Sequence, residues 1–217
     1  MKVALMNEFS QASKNSLILQ CLNEAGGKYG IQIYNTGMSR EGDEPDLAYI
    51  HLGIQAFLLL NSGAIDLVVT GCGTGQGANI SLNSYPGVTC GLILDPADAY
   101  LFAQINNGNA VSLPFAKGFG WGAELNLSYI FERLFSCPWG MGYPPSPERK
   151  LLQNKNAEKM NQVKWAVSKE KTDILESLDS SLVLEAVSGE RFQDCFFKEA
   201  KDENMKQWIR ALLSNNR

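Results

Sequence analysis

The sequence predicts an α/β fold, a doubly wound parallel sheet of five strands followed by a helical C-terminal appendage. Three observations carry this expectation. Short apolar, β-branched runs alternate with stretches of helical periodicity five times before residue 136. A glycine-rich turn follows the third run, as in sheets that bind ligands beyond the carboxyl ends of their strands. Composition then changes near Pro147: nineteen of the 20 glycines and all eight prolines lie at or before it, and the last 72 residues carry 25 charges against 17 in the preceding 145. A globular unit over residues 1–147 and a helical extension over 148–217 are therefore expected.

Val3 to Met6 forms the first strand, and Leu17, Leu19, Cys21 and Leu22 mark a helix from Ser13 to Ala25, closed by Gly26-Gly27. Ile31 to Tyr34 is the second strand. A polar, acidic loop from Met38 to Asp46 follows, then a helix from about Leu47 to Asn61. Asp66 to Val69 begins the third strand, Val88 to Leu94 is a fourth broken by Gly91, and Pro96 starts a helix to Asn106. Ala110 to Leu113 is the fifth, followed by a helix from Ala123 to Phe135. Beyond the stiff connector Pro144 to Pro147, helices are expected over 148–166, 171–178, 181–187 and 201–213. In such a sheet Asn7, Glu8, Asp43 to Asp46, Asp95 and Asn106 to Asn109 would share one rim with the glycine turn.

The totals narrow the function. With 217 residues, 45% of them apolar, the chain can bury a sizeable core. A net charge of −4 gives no electrostatic reason to expect nucleic acid or an anionic membrane as a partner. No apolar run approaches membrane-spanning length and the first ten residues lack a signal-peptide core, so a cytoplasmic protein is expected. The five cysteines, Cys21, Cys72, Cys90, Cys137 and Cys195, form no C-x-x-C pair and read as free thiols. A single histidine, His51, argues against a His-rich metal centre or a Ser-His-Asp triad, and it reads as a structural helix residue. No metal or cofactor is expected.

The chemistry concentrates at Gly71-Cys-Gly-Thr-Gly-Gln-Gly77. No Lys-Ser or Lys-Thr pair follows, and a G-x-G-x-x-G cannot be placed on these glycines, so neither a P-loop nor a dinucleotide loop is read. Glycines let backbone approach a ligand, and the amides at a following helix's start favour an anion or developing oxyanion. Cys72 stands in that cradle, where helix-terminal amides favour a thiolate. Asn7, Asp43, Asn79, Asn106 and Asn109 have side chains suited to polyol recognition, and the Glu8 carboxylate at a strand's end can accept sugar hydroxyls or take protons.

Cys72-Gly-Thr-Gly75 with Gly77 and Asn83, the loop Gly42-Asp-Glu-Pro-Asp46, and Asn106-Asn-Gly-Asn109 together resemble the ribose-5-phosphate isomerase B and galactose-6-phosphate isomerase family over roughly residues 1–150. The resemblance implies a metal-free aldose–ketose isomerase acting on a sugar phosphate through an enediolate, with Cys72 as base and Thr74 assisting. It implies that the backbone of Gly71, Gly73, Gly75, Gly77 and Ala78 holds the substrate oxygens, with Asn7, Glu8, Asp43, Asn106, Asn109 and Arg149 binding the rest. It also implies a homodimer or tetramer whose site is shared between subunits. The sequence departs from the family where Phe9 and Ile105 replace histidines, the second of which helps open the sugar ring, and where Glu44 replaces a tyrosine. Two further readings stand beside it: a sugar-binding protein that kept the fold without the chemistry, and one subunit of a hetero-oligomeric isomerase.

Overall fold

The structure, a computed structural model, describes residues 1–215. The elements alternate as expected: β1 (Lys2–Asn7), a 3-10 turn (Phe9–Lys14), α1 (Asn15–Gly27), β2 (Gln32–Asn35), α2 (Tyr49–Asn61), β3 (Leu67–Cys72) and α3 (Gln76–Asn83). They continue with β4 (Cys90–Leu92), α4 (Pro96–Leu101) running into a π turn (Phe102–Asn106), β5 (Ala110–Pro114) and α5 (Ala123–Phe135). All strands pair in parallel in the order β2-β1-β3-β5-β4. The chain leaves β1 toward one edge and β3 toward the other, so the switch point lies between them, where Asn7 stands in register with Gly71.

Strand alternation divides the core into two layers. Val3, Leu5, Val69 and Val111 face α1 and α5, whereas Ala4, Met6, Val68 and Ala110 face α2 and α3. Helix α2 is buried from His51 to Leu59 because it is covered on both sides. The sheet lies beneath it, and the extension's Val183, Val187, Phe192 and Phe196 join the same core from above.

The extension comprises α6 (Pro147–Ala166), α7 (Lys171–Ser177), α8 (Ser180–Val187), α9 (Glu190–Glu199) and α10 (Glu203–Ser214). Helix α9 has no counterpart among the expected elements. Its stripe Phe192, Cys195, Phe196 has helical spacing and is buried, but alternating charges around it obscure the pattern in the sequence. Helix α6 differs from the others in burying none of its residues, and it leaves Leu151, Met160 and Val163 more than half exposed. His51 is structural: the Ala48 amide donates to Nδ1, leaving Nε2 to donate to Glu185 on α8 at 3.0 Å.

The far end of α9 is fixed at the amino edge of the sheet. Glu199 accepts hydrogen bonds from Lys2 Nζ and Tyr34 Oη, which hold its carboxyl down at about 2. Burial and the bond to Glu199 together push Tyr34 up to about 12. A carboxyl depressed in the folded state contributes stability above its ordinary value of 4.5, and that contribution is lost as pH falls toward 2. Glu199→Gln should therefore lower the urea midpoint at pH 7, and the gap to the wild-type protein should close as pH drops below 4.5. A gap of constant size across that range would contradict the assignment.

Candidate active site

The site is built around the turn from β3 to α3. Gly71, one residue before the end of the fully buried β3, stands where no side chain fits: a Cβ there would lie 2.3 Å from Leu113 O and 2.6 Å from the Phe115 ring. Cys72 follows on the opposite face of the strand, 9% exposed, in register with Pro114. The backbone turns at Gly75, whose φ of 75° is in the left-handed region that favours glycine, and α3 begins at Gln76. Ser112 Oγ donates to Gly75 O at 2.7 Å and fixes the turn from beneath.

The amide orientation follows from this geometry. Among the described residues, the amides of Gly73, Thr74, Gly75, Gly77 and Ala78 have no protein acceptor, while Gln76 N–H donates to Thr74 Oγ1 at 3.3 Å. Cys72 is therefore followed directly by a row of free N–H groups that lead into the positive end of α3. Burial pushes the thiols of Cys90 and Cys195 up to about 12, and burial also raises Cys21, so these three are core residues.

Asn7 stands at the carboxyl end of β1, fully buried, with neither Nδ2 nor Oδ1 bonded to another protein group. Leaving a buried polar group unpartnered costs about 1–3 kcal/mol, and this cost falls at the switch point. Glu8 is placed beside it, but Oε2 accepts from Ser10 N and Oε1 from Ser10 Oγ, so the carboxylate caps the 3-10 turn. Asp43 is similarly engaged. It accepts from Ser39 N and Oγ, Arg40 N and Nε, and Arg191 Nη2 at 2.5 Å. Burial alone would raise its carboxyl, but the bonds from Ser39 and Arg191 outweigh that and hold it well below the usual carboxylate range.

The shared rim expected for all these residues is not formed within one chain. Asn106 and Asn109 precede β5, whereas Cys72 is level with its last residue. Five residues of strand separate Asn109 from Pro114, about 16 Å along the sheet. Asn109 also holds backbone, accepting from Thr89 N and donating to Gly87 O. The reason for the difference is that the polar segment is an α-to-β connection, which lies at the amino edge of a parallel sheet. Asn106 and Asn109 instead line a cavity of about 410 Å³ with Lys150, Asn154 and Asn161 of α6. Arg149 is exposed at the start of α6.

Three neighbours of the cradle are absent from the sequence-based set. Tyr49 lies against Gly77, with its Cγ 3.1 Å from where a Cβ would stand, and Ser112 supports Gly75. Gln11 Nε2 would be 3.9 Å from a Cβ at Gly73. Tyr49 and Ser112 carry no motif signal, because each is brought to the turn by a neighbouring element. Among the described residues no three His, Cys, Asp or Glu side chains gather as metal ligands, and no helix is long and apolar enough to cross a membrane.

Known proteins share this architecture. A family model described as Ribose/Galactose Isomerase matches residues 3–127, and one described as Ribose-5-phosphate isomerase matches residues 166–212. The crystal structure of a ribose-5-phosphate isomerase from Vibrio parahaemolyticus is 52% identical, covering 98% of this chain and 99% of that one, with a TM-score of 0.95. A 4-deoxy-L-threo-5-hexosulose-uronate ketol-isomerase, complexed with a tartrate, is 46% identical over 99% of this chain and 100% of its own, also at 0.95. The type B ribose 5-phosphate isomerase of Trypanosoma cruzi shares the fold at 18% identity and a TM-score of 0.62, covering 77% of this chain and 98% of that one. With the Cys-Gly-Thr-Gly turn at its switch point and relatives that match almost end to end, the chain belongs to the ribose/galactose isomerase family.

Proposed function

We propose that the chain is an aldose–ketose isomerase that works through an enediolate, with Cys72 as the base. The observation that carries this reading is Cys72 at the end of β3, followed at once by the free amides at the head of α3. The Cys72 thiolate takes a proton from the carbon next to the substrate carbonyl, and the resulting thiol, which exchanges its proton with solvent, then protonates the former carbonyl carbon. The hydroxyl proton passes from one oxygen to the other, with Thr74 Oγ1 as its carrier. Charge builds on an oxygen at the amides of Gly73 to Ala78, where removing one such donor from a site of this kind costs about 10² or more in rate. Asn7 offers a buried donor and acceptor to a substrate hydroxyl.

Two substrate classes are consistent with the relatives, a sugar phosphate and an open-chain sugar acid. The side chains favour the second. Ile105 and Phe9 stand where the family's histidines would be, and neither can shuttle a proton to open a ring. The 46% identical relative is named for a 4-deoxy-5-hexosulose uronate, which lacks the hydroxyls at carbons 4 and 5 that close the common sugar rings and carries a carboxylate without phosphate. Such a substrate needs no ring opening. Assayed with D-ribose 5-phosphate and with this uronate, the wild-type protein should turn over the uronate with the higher kcat/KM, and Cys72→Ala should lower kcat on it at least about 10³-fold while leaving the fold intact. Full turnover by Cys72→Ala would contradict the base assignment, and a preference for the phosphate would return the substrate class to sugar phosphates.

The placement of Asn106, Asn109 and Arg149 away from Cys72 supports a site completed by a second copy of the chain. The uncovered apolar residues of α6, which borders the Asn106–Asn109 cavity, support the same reading. Co-expressed Cys72→Ala and Asn106→Ala chains, each inactive alone, should then regain about a quarter of wild-type activity, since half of random dimers are mixed and each mixed dimer holds one intact site. No recovery on mixing would place the whole site within one chain.

A further inference from the structure

We propose that Arg191 is a positioning residue of the Cys72 site, and that through it the C-terminal extension holds the loop of residues 36–48 as one wall of that site. The inference rests on the reading of Cys72 as the reaction centre and gives the extension a part in substrate binding. Arg191 Nη2 donates to Asp43 Oδ2 at 2.5 Å and to Gly37 O at 3.2 Å, and Nε donates to the same carbonyl at 3.3 Å. One guanidinium thus grips the loop at both its start and its middle, a geometry that its planar fork permits and a lysine cannot fully copy. Pro45 reinforces the contact, lying 3.2 Å from where a Cβ on Gly189 would be.

The held loop leads directly to the cradle. At its start, Gly37 is pressed on the end of β1: a Cβ there would lie 2.5 Å from Asn7 N, and Met38 N–H donates to Asn7 O. At its end, Leu47 O accepts from Phe9 N at 2.7 Å, and two residues later Tyr49 covers Gly77. The loop therefore touches the strand carrying the unpartnered Asn7 side chain and leads into Tyr49, the first residue of α2, which covers the helix start carrying the free N–H groups. Asp43 serves as its internal anchor, with Arg191 the one partner from outside the loop among the described residues. Helix α9 is docked at both ends, Glu199 on Lys2 and Tyr34 at the amino edge of the sheet and Arg191 on Asp43 beyond the carboxyl edge. This arrangement supplies an internal control, because the same helix can be loosened at the end remote from Cys72.

The test compares the full-length wild-type protein with Arg191→Met, Arg191→Lys and Glu199→Gln. On the better of the two substrates above, Arg191→Met should raise KM about tenfold with kcat within about threefold, since it disturbs binding more than chemistry. Arg191→Lys, which keeps the charge opposite Asp43, should recover part of that loss, and Glu199→Gln should leave KM unchanged. Independently of turnover, alkylation of Cys72 by iodoacetamide, followed on its peptide by mass spectrometry, should quicken about threefold in Arg191→Met and not in Glu199→Gln, because a loosened wall opens the site locally. Unchanged KM and unchanged alkylation in Arg191→Met, or equal effects from Glu199→Gln, would overturn the proposal. A wild-type protein that turns over neither substrate would sink the isomerase reading, and the alkylation rates would then decide the positioning role alone.

Discussion

The site depends on one steric constraint, the absence of room for a side chain at Gly71. β3 and β5 meet so closely at their carboxyl ends that Leu113 O and the Phe115 ring occupy the space a Cβ would need. This contact fixes the height at which β3 leaves the sheet and puts the next side chain, Cys72, on the α2–α3 face. The left-handed Gly75 then reverses the chain at once, so the unbonded amides at the head of α3 follow Cys72 within a few residues. Thiol and amides come to one place because the turn is tight, and the turn is tight because the strands leave no alternative path.

The two sides of the sheet serve different ends. Helices α1 and α5 close one face with ordinary apolar packing. The other face has α2 in the middle, and its almost complete burial comes from the extension packed on it. The start of α2 lies at the rim, where Tyr49 meets Gly77. The extension is consequently part of the main core and also reaches the site through Arg191. Helix α6 stands apart, with apolar residues uncovered beside the asparagine cavity.

Most of the strands and helices before residue 136 are legible in the sequence because each combines a clear period with a glycine or proline boundary. The turn from β3 to α3 is legible for the same reason, since closely spaced glycines follow an apolar β-branched run. The roles of carboxylates are not. Glu8 and Asp43 are acidic residues on the correct rim, yet each is occupied, one by Ser10 in a cap and the other by Ser39, Arg40 and Arg191. Arg191 lies 148 residues from Asp43, and no local pattern announces that pairing. Asn106 and Asn109 show the complementary failure: their composition suggests a ligand loop, but only their position before β5 tells which edge of the sheet they occupy.

In the proposed reaction Cys72 moves a carbon-bound proton while the amides of α3 hold the oxygen beside it. The most direct measurement is turnover in deuterium oxide, with product and recovered substrate analysed by NMR at the carbons on either side of the proton transfer. Deuterium should appear at those carbons with the wild-type protein and not above background with Cys72→Ser. Isomerisation with no deuterium entering either carbon, or deuterium entering equally with Cys72→Ser, would contradict the proposed role of Cys72.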